Sequence, residues 1–241
     1  MSDTDSPPRR SGSLGSALAG AIAGSLLTAM LLLFAAPHFL SSRIVRAGLL
    51  ADPAILSDAV DALRNAQYQP VLAANRAALE MPFASSWKGS AKPDVTMVEF
   101  FDYACPYCKA SNPHVERLLA EDKDLRLVYR ELPILGPDSV TAARLSLEAS
   151  KLGRFARFHD AMWAAGRPAP ATIAAATTAA GIAAAPLADA EAEAELKRNF
   201  QLAGKLGATG TPLFIVGDDV LSGAVGYDAL KAAVAKARKR S

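Results

Sequence analysis

The chain contains two cysteines, which stand close together in the motif Cys105-Pro106-Tyr107-Cys108. Two thiols at this spacing can close into a disulfide and reopen, so the motif predicts redox exchange between thiols and disulfides. If a helix begins here, its unpaired amides and the positive end of its dipole favour a thiolate at Cys105. Pro106 suits the first helical turn, where a missing N–H costs nothing. Cys108 then lies near enough to resolve a mixed disulfide formed at Cys105.

Two other interpretations of the motif stay open at this point. A structural zinc site needs four cysteine or histidine ligands, whereas the chain offers only these cysteines with His38, His114 and His159. A static disulfide is the second alternative, but closing so short a loop removes little chain entropy and would stabilise the fold weakly. We favour the redox interpretation, in which no metal and no other cofactor is expected.

The N-terminal segment predicts an attachment to a membrane. After a short polar tail, 1–12, residues 13–37 form an uncharged apolar stretch that matches the roughly 20 residues needed to span a bilayer. The residues before Pro37 do not form an A-x-A cleavage site, so an uncleaved signal anchor is favoured over a cleaved export signal. The net charge of +2 gives no argument for nucleic-acid binding.

The rest of the chain divides into an extension and a main domain. Residues 38–91 are expected to form a helical N-terminal extension and linker, in which Pro70 ends the helix. The main domain, 92–241, begins with an apolar strand, 95–101, followed by the helix of the cysteine motif and a second strand. An alanine-rich helical insert occupies about 138–207 and precedes a strand hairpin and a closing helix.

This order of elements resembles the thioredoxin fold, an α/β class, and its helical insert resembles that of the DsbA-like thiol:disulfide oxidoreductases, ScsC-like proteins included. Four local sequences carry the resemblance: Glu99-Phe100-Phe101-Asp102-Tyr103, Arg130-Glu131-Leu132-Pro133-Ile134-Leu135-Gly136, Phe158-His159-Asp160-Ala161-Met162-Trp163 and Gly207-Ala208-Thr209-Gly210-Thr211-Pro212. The resemblance covers about residues 95–216 and implies a fold of this type, to which the apolar stretch adds an expected N-terminal transmembrane helix.

The resemblance also implies roles for individual residues. Cys105 would be the exposed nucleophile and Cys108 the buried resolving thiol. Pro212 would be a cis proline facing the motif, and the backbone beside it, at Thr211, would bind the substrate chain as a neighbouring strand. The alternative for Thr211-Pro212 is an ordinary trans proline that opens an edge strand.

Three further residues are expected to tune the site: Glu99, Pro106 and Tyr107. Glu99 lies in an apolar strand, so burial should raise its pKa and let it exchange a proton with Cys108. The alternative, compatible with the first, pairs Glu99 with Arg130. Tyr107 replaces the histidine of the DsbA archetype, and a neutral phenol helps a thiolate less, which indicates a milder oxidant or an isomerase. His159 and Trp163 are interpreted as helix packing.

The sequence and the resemblance together predict thiol–disulfide exchange on exported proteins, by a disulfide oxidase or isomerase. The expected partners are cysteine-containing client proteins and a redox partner protein, and the expected location is the bacterial inner membrane, with the catalytic domain in the periplasm. Two alternatives remain: a periplasmic disulfide reductase, and a non-catalytic, membrane-anchored assembly module that uses the helical region 43–79. That extension is also expected to support a homo-oligomer.

Overall fold

The computed structural model describes residues 36–183 and 189–240, together with residues 25, 29 and 30. Almost all of the predicted anchor, 13–37, and the whole of the polar tail, 1–12, lie outside the described residues. Within the described part of the chain, no helix is both long enough and apolar enough to cross a membrane. The chain separates into two compact units, residues 1–62 and residues 63–241, which are described individually below.

The described chain contains helices and strands in the following order. They are α1 (Ala36–Ala51), α2 (Ala54–Glu80), β1 (Trp87–Gly89), β2 (Val95–Phe101), α3 (Pro106–Glu121), β3 (Leu125–Glu131), α4 (Pro137–Lys151), α5 (Phe155–Ala165), α6 (Pro170–Ala180), α7 (Ala190–Lys205), β4 (Leu213–Val216), β5 (Asp219–Ser222) and α8 (Tyr227–Arg238). Helices α4 to α7 form the insert expected between the second predicted strand and the hairpin.

The five strands form one mixed sheet in the order β1-β3-β2-β4-β5. Strands β2 and β3 are parallel, in register from Val95 opposite Leu125 to Phe101 opposite Glu131, and α3 makes the crossover between them. The other neighbouring pairs are antiparallel. This confirms the predicted parallel pair and C-terminal hairpin, and it places β2 at the centre, where its apolar side chains are buried on both faces.

Each face of the sheet is covered by helices. On one face, Met97 and Phe101 of β2 belong to a core shared with α3, α5, α6 and α8. On the other face, Val98 and Phe100 pack in a second core with Leu72 of α2 and with residues of α7. Because successive strand residues point to opposite faces, β2 supplies alternating residues to the two cores.

The structure corrects two boundaries of the predicted extension. Helix α2 continues through Pro70 to Glu80, and its second half belongs to the core, since Leu72 and Leu79 are buried against the sheet. The predicted linker also contains strand β1, so the packed unit begins before residue 92. Gly89 ends β1 with φ +93°, and a Cβ atom there would lie 2.3 Å from the Leu125 carbonyl oxygen, which explains the glycine.

Candidate active site

Cys105 caps the N-terminus of α3. Strand β2 ends at Phe101, and a short turn leads to Cys105, whose amide donates to the Asp102 carbonyl at 2.9 Å. The helix begins at Pro106, as predicted, and the carbonyl of Cys105 accepts from the amide of Lys109 at 3.1 Å. The thiol therefore stands at the positive end of the helix dipole, beside amides that have no partner within the helix.

The Thr211–Pro212 peptide bond is cis and lies against this cysteine. The Cys105 thiol donates to the Thr211 carbonyl oxygen, with 3.2 Å between sulfur and oxygen. Cys105 is only 5% exposed, so the expectation of an exposed nucleophile is wrong for this state of the molecule. Cys105 is nevertheless the more accessible cysteine, because Cys108 is 0% exposed.

Cys108 lies one helical turn further on, on the inner face of α3. Burial raises the pKa of its thiol, and the neighbouring carboxyl group of Glu99 raises it further. A thiol in such surroundings stays protonated at neutral pH and does not attack a substrate on its own. Both cysteines are free thiols in this structure.

Glu99 is fully buried in β2, and burial raises the pKa of its carboxyl group to about 8; Glu116 adds to the rise and Lys88 opposes it. Glu99 lies opposite Tyr129 in the sheet, one residue before the position opposite Arg130. Neighbouring residues of a strand point to opposite faces. The alternative pairing of Glu99 with Arg130 is therefore wrong, and the guanidinium of Arg130 instead donates to Glu195 at 2.6 Å.

Lys88 holds two acidic side chains near Glu99. Its ammonium group donates to Glu116 of α3 at 2.7 Å and to Asp160 of α5 at 2.5 Å. These ion pairs connect the short edge strand β1 to two helices of the same face. Because their charges are opposite, Glu116 raises the pKa of Glu99 and Lys88 lowers it. This cluster was not predicted from the sequence, because its members are far apart in the chain.

The carboxylate of Asp102 bonds to two loops at once. One oxygen accepts from the amide of Ala104 at 2.7 Å. The other accepts from the amides of Ile134 and Leu135, at 2.8 and 2.9 Å. Asp102 is buried, so these amides replace the water that a carboxylate would otherwise bind. From the sequence, Asp102 was expected only to shape the rim of the site, and its bonds to the second loop were not predicted.

Behind the cysteine motif, His159 and Trp163 of α5 pack as predicted and also form a hydrogen-bonded chain with Tyr103. Trp163 Nε1 donates to His159 Nε2 at 3.1 Å. Burial holds the pKa of His159 well below its usual range, so the ring is neutral and its proton sits on Nδ1, 3.1 Å from the Tyr103 hydroxyl. Tyr103 in turn lies 3.0 Å from Ser146 of α4. This series of hydrogen bonds connects Tyr103, near the cysteine motif, to helices α4 and α5 of the insert.

The two residues between the cysteines differ in their surroundings. Pro106 opens α3, as expected. Tyr107 is 64% exposed, so its ring stands in solvent beside the reactive sulfur instead of packing under it. Across the described residues, no three histidine, cysteine, aspartate or glutamate side chains are grouped as a metal site would need.

Known proteins are similar to this chain in sequence and in fold. The family model of the DSBA-like thioredoxin domain matches residues 96–235, more than half of the chain. A thioredoxin-like oxidoreductase from Silicibacter pomeroyi DSS-3 is 37% identical over 69% of this chain and 99% of its own, with a TM-score of 0.64. A periplasmic thioredoxin-like protein from Salmonella enterica serovar Typhimurium is 33% identical, with coverages of 68% and 95% and a TM-score of 0.62.

Three further matches differ in coverage. A linker-deletion mutant of Proteus mirabilis ScsC is 29% identical over 86% of this chain and 97% of its own, with a TM-score of 0.67. Two curated Na⁺/H⁺ antiporters of the NhaA type, from Salinispora tropica and Salinispora arenicola, are 35% and 30% identical, but the chain spans only 12% and 24% of their lengths. The family model and the full-length structural matches agree with one another, and on these grounds the chain belongs to the DsbA-like thioredoxin domain family and is a thiol–disulfide oxidoreductase.

Proposed function

We propose that the protein exchanges disulfides with exported, cysteine-containing client proteins through Cys105 and Cys108, as a disulfide oxidase or isomerase. The observation that carries this proposal is the position of the Cys105 sulfur, at the N-terminus of α3 and 3.2 Å from the Thr211 carbonyl oxygen. A sulfur so placed has helix amides to stabilise its anion and the backbone of Thr211 beside it.

In the oxidising direction the reaction begins from a Cys105–Cys108 disulfide. A client thiolate attacks the sulfur of Cys105, the bond between the two cysteines breaks, and Cys108 leaves as a thiolate. A second client thiolate then attacks the client sulfur of the mixed disulfide. The client gains a disulfide, Cys105 leaves as a thiolate, and the cysteine pair has gained the two electrons that the client has lost. Isomerisation begins instead from the reduced pair, with Cys105 attacking a client disulfide.

Glu99 would serve as the proton partner of Cys108 in both directions. With a pKa of about 8, the carboxyl group holds a proton near neutral pH and can give it to the departing thiolate of Cys108. In the reverse step the carboxylate takes the proton as Cys108 attacks the mixed disulfide. The direct influence of Glu99 on the pKa of Cys108 supports this pairing.

Thr211 and Pro212 would hold the client chain. The Thr211 carbonyl oxygen contacts the reactive sulfur, so a client cysteine bonded to Cys105 lies beside this backbone. Pairing with an extended client strand needs backbone groups only, which suits an enzyme with many clients. The exposed phenol of Tyr107 favours a mild oxidant or an isomerase, because it offers a thiolate less support than a histidinium would.

The test of this proposal combines two assays with the reduction potential of the cysteine pair. Wild-type protein should restore activity to scrambled ribonuclease, and Cys105→Ser should not. A potential well above the roughly −270 mV of thioredoxin would support oxidation or isomerisation. A potential near −270 mV with rapid insulin reduction would instead establish the reductase alternative. Failure of all exchange in the wild-type protein would overturn the proposal.

The proposed location is the periplasm, with a redox partner protein there to recharge the cysteine pair, and with the predicted segment 13–37 in the inner membrane. The similarity to a periplasmic thioredoxin-like protein supports export. An alkaline phosphatase fusion at Ser241 should be active in cells, and extraction should place the protein in the membrane fraction with its N-terminal tail intact. An active fusion in the soluble periplasmic fraction would favour the cleaved form.

We also propose that the N-terminal extension forms a homo-oligomer. Helix α1 and the start of α2 expose several large apolar side chains, which are Ile44, Val45, Leu50, Ile55, Leu56 and Val60. Exposed apolar residues in such number mark interaction surfaces. Light scattering should show a multimer for the wild-type chain and a smaller species for Leu50→Ser/Leu56→Ser.

If Cys105→Ser retained every cellular role of the protein, the non-catalytic assembly-module alternative would replace the catalytic function.

A further inference from the structure

The loop between α5 and α6 brings a guanidinium group to the cysteine motif. Helix α5 ends at Ala165, and Gly166 leads to Arg167. The carbonyl of Arg167 accepts from the hydroxyl of Thr172 in α6 at 2.9 Å, which fixes the backbone of the loop at this point. The side chain of Arg167 extends to the motif, where its Nη1 donates to the carbonyl of Ala104 at 3.5 Å.

This contact places a positive charge near the reactive sulfur. Ala104 directly precedes Cys105, and the guanidinium nitrogen is 3.5 Å from the Ala104 carbonyl oxygen, so along the covalent path it lies no more than about 10 Å from the Cys105 sulfur. Lys109 supplies a second cation one turn along α3. Its amide donates to the Cys105 carbonyl at 3.1 Å, and its side chain is exposed. We call the exposed side chains of Lys109 and Arg167 the basic patch.

Neither cation of the basic patch has an acidic partner. Across the residues that the structure describes, no carboxylate oxygen lies within ion-pair distance of Lys109 or Arg167. Elsewhere in the insert, Arg144 pairs with Glu193 at 2.5 Å. Asp102, in the turn before the motif, is buried, and both of its carboxylate oxygens accept from backbone amides. The patch therefore presents two unpaired positive charges to solvent beside the site of the reaction.

We infer that the basic patch determines specificity, by binding aspartate or glutamate side chains that flank the reacting cysteine of a client chain. A client is bonded to Cys105 during exchange, so the residues on either side of its cysteine come within reach of the patch. Carboxylates complement a guanidinium and an ammonium group in charge and in hydrogen bonding. The unpaired amides at the N-terminus of α3 favour the same sign of charge. The inference rests on the proposed function.

The probe is a pair of ten-residue peptides, each with one cysteine, that carry either aspartate or asparagine on both sides of it. The full chain, with its cysteine pair oxidised, is mixed with excess peptide in 0.1 M NaCl. A peptide thiolate attacks the sulfur of Cys105, the bond to Cys108 breaks, and Cys108 leaves as a thiolate that gains a proton. A second peptide thiolate then displaces Cys105, so that a peptide disulfide forms and the cysteine pair gains two electrons.

Acid quenching and mass spectrometry measure how fast the cysteine pair opens with each peptide. Each rate constant is divided by the rate constant of the same peptide with the uncharged disulfide of mercaptoethanol, which removes differences in the reactivity of the peptide thiols themselves. The measured quantity is the ratio of these corrected rate constants, aspartate peptide over asparagine peptide.

In the wild-type protein we expect this ratio to be about 10, since two exposed ion pairs should each favour the acidic peptide about threefold. It should be about 3 in Arg167→Gln and in Lys109→Gln, and about 1 in the double variant. Lys123→Gln is the matched control. It removes the same charge beyond the far end of α3, whose 16 residues place it roughly 24 Å from the motif. The ratio should stay at the wild-type value, because the Debye length in 0.1 M salt is about 10 Å.

Two measurements distinguish selection by charge from a structural role of Arg167. Arg167→Lys keeps the charge, so its ratio should stay near the wild-type value. In 1 M NaCl, where the Debye length is about 3 Å, the wild-type ratio should fall toward 1. An Arg167→Lys ratio as low as that of Arg167→Gln would show that Arg167 acts by supporting the loop, and a wild-type ratio that salt leaves unchanged would also overturn selection by charge.

Failure of this inference can be told apart from failure of the proposed function. A wild-type protein that reacts with both peptides at equal corrected rates refutes the selection of acidic residues and leaves exchange intact, as does a double variant that keeps the preference. A wild-type protein that reacts with neither peptide overturns the proposed function, and the inference with it.

Discussion

Arg130 of β3 donates to Glu195 of α7 across 2.6 Å, and both side chains are buried. The same guanidinium donates to Asn199 at 3.0 Å and to the carbonyl of Leu79, near the end of α2. A single cation thus joins the sheet, the insert and the helix that precedes the domain. The charge is compensated by the Glu195 carboxylate and by carbonyl oxygens, which is what a buried guanidinium requires.

Glu195→Gln is expected to lower the free energy of unfolding by about 3 kcal/mol, because Arg130 would remain buried without its counter-charge. Urea denaturation measures the change. Glu193→Gln on the same helix is the matched control, since the ion pair of Glu193 with Arg144 is exposed and should contribute no more than about 1 kcal/mol. Equal losses in the two variants would contradict the role given to the buried pair.

Glu99→Gln should change how stability depends on pH. Glu99 keeps its proton up to about pH 8 in the folded chain, whereas the usual carboxyl value is 4.5. The folded state therefore binds more protons between these pH values, and Glu99 makes the protein less stable as pH rises from 4.5 to 8, by up to about 1.4 kcal/mol per pH unit. Glutamine does not titrate, so the stability of the variant relative to wild type should increase as pH rises from 4.5 to 8.

Unfolding in urea at several pH values provides the measurement for Glu99. Glu193→Gln is a suitable control, because the ion pair with Arg144 lowers the pKa of Glu193 and leaves it ionised in both states above pH 5. Parallel stability curves for wild type and Glu99→Gln would show that Glu99 titrates normally.

The two cysteines should differ sharply in alkylation. In the folded, reduced protein, iodoacetamide should modify Cys105 at least about a hundredfold faster than Cys108, because the Cys108 thiol is fully buried and its pKa is raised. Fragmentation of the tryptic peptide that contains both cysteines assigns the label by mass spectrometry, and the same reaction in urea should erase the difference. A fast label on Cys108 would reverse the roles of the two residues.

His159→Phe tests the hydrogen-bonded chain behind the motif. The neutral ring of His159 accepts from Trp163, and its removal leaves a buried N–H without a partner, so we expect a loss of about 1–3 kcal/mol at pH 8. The pKa of folded His159 lies well below 6.5, whereas the unfolded histidine gains a proton as pH falls below 6.5. The wild-type protein therefore loses the stability that neutral His159 contributes as pH falls through this range. The deficit of the variant should therefore shrink between pH 7.5 and pH 5.

Calorimetric unfolding of wild type and His159→Phe at these two pH values checks the expectation. His114→Phe, on an accessible part of α3, should show no such convergence. A deficit that stays constant with pH would mean that His159 can be protonated inside the fold.

The parts of the fold that were predictable from sequence are those with local signals. Strand β2 is a continuous apolar run, α3 begins at a proline directly after Cys105, and the hairpin is set by the turn at Gly217. Strand β1 was missed, because three residues with one charge give no periodicity. The continuation of α2 through Pro70 was also missed, since it depends on the burial of Leu72 and Leu79 in a core made by distant strands.

In the candidate site, too, only the features with a local sequence signal were predictable. Its two thiols are marked by their spacing, and the burial of Glu99 follows from its apolar strand. The partner of Arg130 could not be found, because Glu195 is 65 positions further along the chain and is brought near only by the packing of α7. The bonds of Asp102 to Ile134 and Leu135 likewise join segments 32 and 33 residues apart.

The ends of the sheet have a consequence for the proposed exchange with client chains. An edge strand offers unpaired backbone groups on which other polypeptides can stack and aggregate. Here the two outer strands have only three and four residues, and they carry Lys88 and Asp219. Short, charged rims give another polypeptide little backbone to add to, which fits the proposal that a client strand docks at the segment beside Cys105.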